Sequence, residues 1–138
     1  MKKEKKETQI TGNIGMYYTC YKLSEIGYNV MPTARNAKGV DVIAYTPDAK
    51  KFLAIQVKTV SKRWAVPLGR ADKFSPMGDY WIVVVLDGKE DHPDCYVLKP
   101  DDVRKGVFVD RNGNGWLEAK NYATLDYMEW WGRIKQGK

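Results

Sequence analysis

Three polar residues on two short apolar segments have the types and spacing of a phosphodiesterase site. Asp41 lies in one segment, and Gln56 and Lys58 lie in the next. Side chains on a strand alternate between its two faces, so Gln56 and Lys58 point together, away from the intervening Val57. A carboxylate, an amide oxygen and an ammonium group that converge can hold a divalent metal and a water beside a phosphate. The spacing therefore predicts a metal site where the two strands meet.

The segments around these residues alternate between helical and strand patterns. A first helix is expected to be capped by Thr11 or Asn13, to run to about Glu25 and to stop at Gly27. Strands are predicted over Tyr28–Met31, Val40–Tyr45, Phe52–Thr59, Tyr80–Leu86 and Asp94–Leu98. The fourth of these segments is apolar throughout, which is typical of a buried central strand. This order predicts an α/β domain.

The remaining segments predict shorter elements. Pro100 begins a helical turn, and Asp110–Gly115 forms a tight turn. That turn starts like a calcium loop but lacks a glutamate at the twelfth position, which favours a plain turn. Tyr122–Lys135 has apolar residues near helical spacing, so a closing helix is expected there.

The order of these segments resembles a known superfamily. An opening Gly12-Asn13-Ile14-Gly15, a helix, the Asp41 strand, the Gln56 and Lys58 strand and an apolar run resemble the PD-(D/E)xK nucleases, in a variant with Gln-x-Lys. Many restriction enzymes and archaeal Holliday-junction resolvases share this fold. The likeness covers roughly Gly12 to Val103. It implies an α/β fold with a restriction-endonuclease-like core, in which helices flank a central mixed sheet.

The resemblance also implies a role for each site residue. Asp41 matches the metal-binding aspartate, and Lys58 matches the lysine that orients or activates the attacking water. Gln56 stands where most members have glutamate or aspartate; glutamine occurs there in a minority, including an intron-encoded homing endonuclease branch. Asp41, the Gln56 carbonyl, the backbone carbonyl of Val57 and phosphate oxygens could together hold Mg²⁺ or Mn²⁺. The implied activity is metal-dependent hydrolysis of DNA phosphodiester bonds by an endonuclease.

Two departures from the superfamily pattern keep alternatives open. Many members place a glutamate on the first helix where this chain has Met16, and Gln56 supplies no negative charge. Met16, Cys20 and Leu23 share one helical face and are predicted to be core contacts. A nuclease-fold module that binds DNA without cutting it therefore remains an alternative. A protein-interaction domain that uses the apolar surface of the last helix is another.

Charge and two basic segments predict DNA as the partner. The chain has 138 residues, with 23 basic and 17 acidic side chains, and a formal charge of +6. Such an excess favours a polyanion. Loops at strand ends can grip a DNA backbone, and tryptophan can stack on a base or sugar. The predicted contacts flank the metal strands: Arg35, Asn36 and Lys38 on one side, and Lys62, Arg63 and Trp64 on the other.

Length and apolar patterning suit one domain, residues 12–138, after a flexible basic tail at residues 1–11. No signal peptide is visible, and no apolar run approaches the roughly 20 residues of a membrane span, so we expect a cytoplasmic protein without a membrane partner. Cys20 and Cys95 lack metal-binding spacing and are predicted to be buried free thiols. A homodimer is reasonable, because cutting two strands commonly needs two active sites.

Overall fold

The site residues lie on a sheet that is covered on both faces. A computed structural model describes residues 2–34 and 39–136, with side chains from residue 8 to residue 135. The helices are α1 (Lys2–Glu25), α2 (Pro100–Gly106), α3 (Ala119–Tyr122) and α4 (Gly132–Gln136). The strands are β1 (Asn29–Pro32), β2 (Val42–Tyr45), β3 (Phe52–Val60), β4 (Val66–Arg70), β5 (Tyr80–Val85), β6 (Asp94–Leu98), β7 (Val107–Val109) and β8 (Asn114–Leu117).

The central sheet has the strand order β1-β2-β3-β5-β6. Only the β3–β5 pair is parallel among these strands, and the other three pairs are antiparallel. Every residue of β5 is buried, as its continuous apolar sequence predicted. The predicted α/β fold, with a central mixed sheet and flanking helices, is therefore confirmed.

Each face of the central sheet has its own hydrophobic core. The first core lies under α1 and contains Cys20, Leu23 and Ile55, together with Trp131 and Ile134 near the end of the chain. Both cysteines lie in this core as free thiols, which confirms that prediction. The second core lies on the opposite face of the sheet and is capped by α2, α3 and a smaller sheet. Its members include Val60, Val66, Trp81, Val83, Val103, Leu117 and Tyr122.

The smaller sheet, of order β4-β8-β7, is antiparallel and was not predicted. Its first strand contains Pro67 and Gly69, residues that are depleted in strands, and its register shifts between them. The predicted turn over Asp110–Gly115 connects the other two strands. There the Asp110 carboxylate accepts hydrogen bonds from the N–H groups of Asn112 and Asn114. The Asp110 side chain therefore stabilises the turn through these two hydrogen bonds.

The two predicted terminal helices differ from the structure. α1 begins at Lys2, so Thr11 and Asn13 lie inside the helix and do not cap it. The closing helix predicted over Tyr122–Lys135 is wrong, because among the described residues after α3 only those of α4 are helical. The backbone before α4 bonds instead to β6, where Glu129 donates its N–H to Cys95 and has a positive φ of 50°. Over the described residues, no helix has both the length and the apolar character to cross a membrane.

α1 packs on β3 at a glycine, which gives a test of the arrangement. A Cβ atom at Gly15 would lie 1.8 Å from Oγ1 of Thr59, whereas a Cβ at Gly12 meets nothing within 4 Å. Gly15→Ala should lower the free energy of unfolding by about 1–3 kcal/mol through overpacking. Gly12→Ala is the matched control and should raise it by about 0.5–1 kcal/mol through helix propensity. Urea unfolding measures both, and equal stability of the two variants would contradict this packing.

Candidate active site

Asp41 is held by backbone contacts on both sides. Its N–H donates to the Ile55 carbonyl at 2.9 Å, and its carbonyl accepts the Thr33 N–H at 2.9 Å. Before it, Gly39 has a positive φ of 77°, and a Cβ there would lie 2.6 Å from the Met77 sulfur. Only glycine suits both the backbone angle and the close approach. The chain therefore enters β2 in a defined direction that places the Asp41 side chain at the edge of β3.

The Asp41 carboxylate joins the residues that the sequence singled out. Its Oδ2 atom accepts the Val57 N–H at 2.7 Å and the Gln56 Nε2–H at 3.0 Å. β2 begins at Val42, which pairs with Ile55 on β3. The next N–H along that edge of β3 belongs to Val57, and the Asp41 carboxylate accepts its hydrogen bond in place of a backbone carbonyl. The other oxygen, Oδ1, accepts no hydrogen bond from the part of the chain that the structure describes. One oxygen thus binds the edge of β3, and the Asp41 side chain lines the cavity beside it.

Gln56 and Lys58 lie on the face of β3 opposite α1, as their alternation predicted. Val57, between them, packs against the first core. Gln56 is buried, at only 9% exposed, whereas Lys58 is half-buried. The Lys58 ammonium lies 5.7 Å from the centre of the Trp81 ring, a cation–π distance. The amide and the lysine are therefore held against the second core.

Two cavities meet at Lys58. The first, of about 500 Å³, lies between α1 and the β3 edge and is lined by Asp41, Val57 and Lys58. The second, of about 360 Å³, lies on the other face and is lined by Gln56 and Lys58. Lys58 therefore borders both cavities, and it follows directly after Gln56 and Val57, which are hydrogen-bonded to Asp41.

α1 contributes amides and a thioether to the first cavity. Gln9, Asn13 and Met16 line it, so Met16 borders the same cavity as Asp41. Sequence reasoning missed Gln9 and Asn13, although their spacing of four residues places them on one helical face with Met16. It also missed Thr33, whose N–H and hydroxyl both donate to the Asp41 backbone carbonyl.

The oxygen atoms of this site suit a hard divalent cation held with few protein ligands. Within residues 2–34 and 39–136, no group of three or more His, Cys, Asp or Glu residues could hold a metal ion. The oxygen atoms that could bind a metal are Asp41 Oδ1, Gln56 Oε1 and the Val57 carbonyl oxygen. The carbonyl and the N–H of one strand residue point to the same edge, so the Val57 carbonyl lies on the edge that contacts Asp41. Mg²⁺ prefers such oxygen ligands and usually keeps several waters. The residues fit a weakly held cation that also needs water or phosphate oxygens.

The predicted nucleic-acid contacts lie beyond the hydrogen-bonded group. Lys62, Arg63 and Trp64 are exposed in the loop after β3, and Trp64 lines a separate cavity with Thr59. The Trp64 carbonyl accepts a hydrogen bond from the Tyr122 hydroxyl at 2.6 Å, which fixes the backbone of this loop. The other predicted contacts, Arg35, Asn36 and Lys38, lie outside the described residues.

The chain has an α/β fold in which helices flank a five-stranded mixed sheet. Among solved structures, the chain is similar to a bacterial homing endonuclease, I-Ssp6803I, with a TM-score of 0.64 and 17% sequence identity. The match covers 94% of this chain and 93% of that chain. At this identity the similarity shows a shared fold. No protein-family model and no curated protein matches the sequence.

Replacing the Gln56 amide with a carboxylate tests the contact at the centre of the site. In Gln56→Glu a second carboxylate would face Asp41 Oδ2, which raises the pKa of one of the two groups. We expect a loss of about 1–3 kcal/mol of unfolding free energy at pH 7 in EDTA. The loss should be full above the raised pKa and should disappear below about pH 4, where the group with the raised pKa is protonated in both the folded and the unfolded state.

The control for this experiment is the double variant Gln56→Glu, Asp41→Asn, in which the repulsion between two carboxylates is removed. Its free energy of unfolding should change little between about pH 4 and the raised pKa of the single variant. Mg²⁺ should raise the Tm of Gln56→Glu more than that of the parent, because two carboxylates bind a cation more tightly than one. A Gln56→Glu protein as stable as the parent at every pH would show that these two side chains are not in contact.

Proposed function

We propose that this protein is a metal-dependent endonuclease that hydrolyses DNA phosphodiester bonds. The observation that carries the proposal is the hydrogen bonding of the Asp41 carboxylate to the strand of Gln56 and Lys58. The fold supports it, because a homing endonuclease shares this arrangement of sheet and helices. The formal charge of +6 is consistent with a polyanionic substrate.

Asp41 Oδ1, the Gln56 carbonyl and the Val57 carbonyl would hold Mg²⁺ or Mn²⁺. A bound cation of this kind polarises a phosphoryl oxygen and lowers the pKa of a coordinated water. The Val57 N–H and the Gln56 amide hold the carboxylate in place before any ligand arrives. This fixed geometry reduces the reorganisation that the reaction requires.

Lys58 would orient the attacking water and stabilise the charge that develops on the phosphate. An ammonium group has three N–H donors and no acceptor, so it positions an oxygen by donating to it. Its position over the Trp81 ring restricts the movement of the side chain. The reacting phosphate would then lie between the Asp41 carboxylate and the Lys58 ammonium.

The loops beside the site would contact the DNA backbone. Lys62 and Arg63 would bind phosphates, and the exposed Trp64 ring would stack on a base or sugar. Arg35, Asn36 and Lys38 are proposed for the same role from their sequence position alone. A homodimer, with one site for each strand, would cut both strands of a duplex.

A DNA-binding module without catalysis is the second candidate function. It is favoured by the residues that α1 presents to the first cavity, which are the neutral Gln9, Asn13 and Met16. A site with one carboxylate holds a cation weakly. This candidate predicts DNA binding that weakens steeply with salt, is unaffected by Mg²⁺ and leads to no hydrolysis.

Cleavage of supercoiled plasmid and of a four-way junction, with Mg²⁺ or Mn²⁺, tests the proposed function. Asp41→Asn and Lys58→Met should each lower the cleavage rate at least about a hundredfold, because each removes a charged group that touches the reacting atoms. Thermal unfolding should show that both variants fold.

The matched controls are Asp101→Asn on α2 and Lys50→Gln in the β2–β3 turn, which make similar changes at exposed positions. Both controls should cut like the parent. Equal cutting by Asp41→Asn and the parent would refute the site. A parent that shifts DNA on a gel but cuts nothing would favour the binding module.

A further inference from the structure

The second cavity contains groups that the proposed chemistry does not use. Its apolar surface comes from Leu68, Phe74 and Met77, and Phe74 packs edge-on against the Trp81 ring at 5.9 Å. The segment between β3 and β5 supplies these three residues. The cavity opens beside Lys58, on the face of β3 opposite α1. A group bound there would therefore be adjacent to the proposed site of cleavage.

The charged residues that line this cavity are all cations. They are Lys58, Arg70 and Lys73, and no carboxylate of the described residues lines it. The nearby Asp72 lies outside the lining and contacts Arg70 Nε at 3.4 Å, where both side chains are more than half exposed. An exposed pair of this kind contributes little and is screened by salt. The cavity therefore has the charge of an anion-binding site with an apolar wall.

Arg70 is held in place by the turn between β7 and β8. Its Nη1 donates to the Asn112 carbonyl at 2.8 Å. Its guanidinium also packs on Gly113, where a Cβ atom would lie 3.1 Å from Nη1, and where φ is +85°. A guanidinium has five N–H donors, so this anchoring leaves donors for a phosphate. The glycine and the carbonyl together fix a cation at the mouth of the cavity.

We propose that the second cavity is a subsite for the nucleotide next to the cleaved bond, with Arg70 and Lys73 on its phosphate. The sugar or base would pack against Leu68, Phe74 and Met77. The proposal rests on the proposed function, because Lys58 links this cavity to the reacting phosphate. DNA backbone is favoured over a free phosphate ion because the cavity combines separated cations with an apolar wall.

DNA binding in EDTA by Asp41→Asn protein tests the subsite without cleavage. The probe is a duplex that the parent cuts or, if it cuts none, a mixed-sequence duplex. Adding Arg70→Gln and Lys73→Gln should weaken binding on the order of tenfold for each residue. It should also reduce the slope of log K against log salt by about 1 for each residue.

The matched control adds Lys50→Gln and Lys51→Gln in the β2–β3 turn, which change the net charge equally. This control should keep the slope of the Asp41→Asn protein. Inorganic phosphate, added at constant ionic strength, should compete poorly with the duplex. Equal slopes in the two triple variants would overturn the subsite, and strong competition by phosphate would assign the cavity to the free ion.

Crosslinking tests the position of the bound nucleotide. Ser75 lines the cavity and is exposed, so Ser75→Cys can carry a photoactivatable group. Burial raises the pKa of the Cys20 and Cys95 thiols, which should keep both unreactive toward the label. Labelled Ser75→Cys should crosslink to DNA beside the mapped cut, and labelled Lys50→Cys should not.

The two proposals fail in different ways. If the parent cuts DNA and the Arg70 and Lys73 variants match the Lys50 and Lys51 control, the subsite is wrong and the nuclease assignment remains. If nothing cuts but these variants lose affinity and salt dependence, the activity is wrong and the cavity remains a DNA phosphate site. A crosslink far from the cut would overturn the placement of the nucleotide.

Discussion

The hydrogen bond from the Val57 N–H to the Asp41 carboxylate is the contact on which the site depends. The pairing of β2 with β3 ends at Ile55, so the Val57 N–H on the edge of β3 would otherwise lack a backbone partner. A buried donor without a partner costs about 1–3 kcal/mol. The carboxylate satisfies the donor with Oδ2, and Oδ1 has no hydrogen-bond donor among the described residues. The end of the β2–β3 pairing and the candidate site are therefore consequences of one interaction.

The site lies between two cores because β3 contributes to both. Ile55 packs under α1, and Val60 packs on the opposite side against the smaller sheet. Gln56 lies between them, where burial of its amide would be unfavourable without a partner. Its hydrogen bond to Asp41 supplies that partner and brings a polar group into the middle of the protein.

The sequence predicted the elements whose patterns depend on one repeating rule. Strand alternation placed Gln56 and Lys58 on one face, and continuous apolar character identified β5. It did not predict β4, because Pro67 and Gly69 weaken the strand pattern and the pairing comes from distant β8. Helical spacing near the end of the chain was misleading, since backbone bonds to β6 outweigh it there.

The closeness of Asp41 to Gln56 was predictable from the sequence, whereas the contacts between their side chains were not. Pairing of two strands suffices to bring Asp41 close to Gln56. The donation of the Gln56 amide to the carboxylate depends on side-chain rotamers that no spacing reveals. Arg70 and Lys73 were not predicted as site residues, because their position depends on β4, a strand that was not predicted either.

The connection between the parallel strands β3 and β5 has a consequence for where the sequence of such a protein can vary. Parallel neighbours need a long crossover, which is most often a helix. Here the crossover, residues 61–79, contains β4 and the loop of Trp64 and crosses the face that carries Gln56 and Lys58. Its strand pairs with the smaller sheet and not with the central one. Sequence changes in this crossover can therefore alter what lies beside the polar face while the central sheet keeps its strand order.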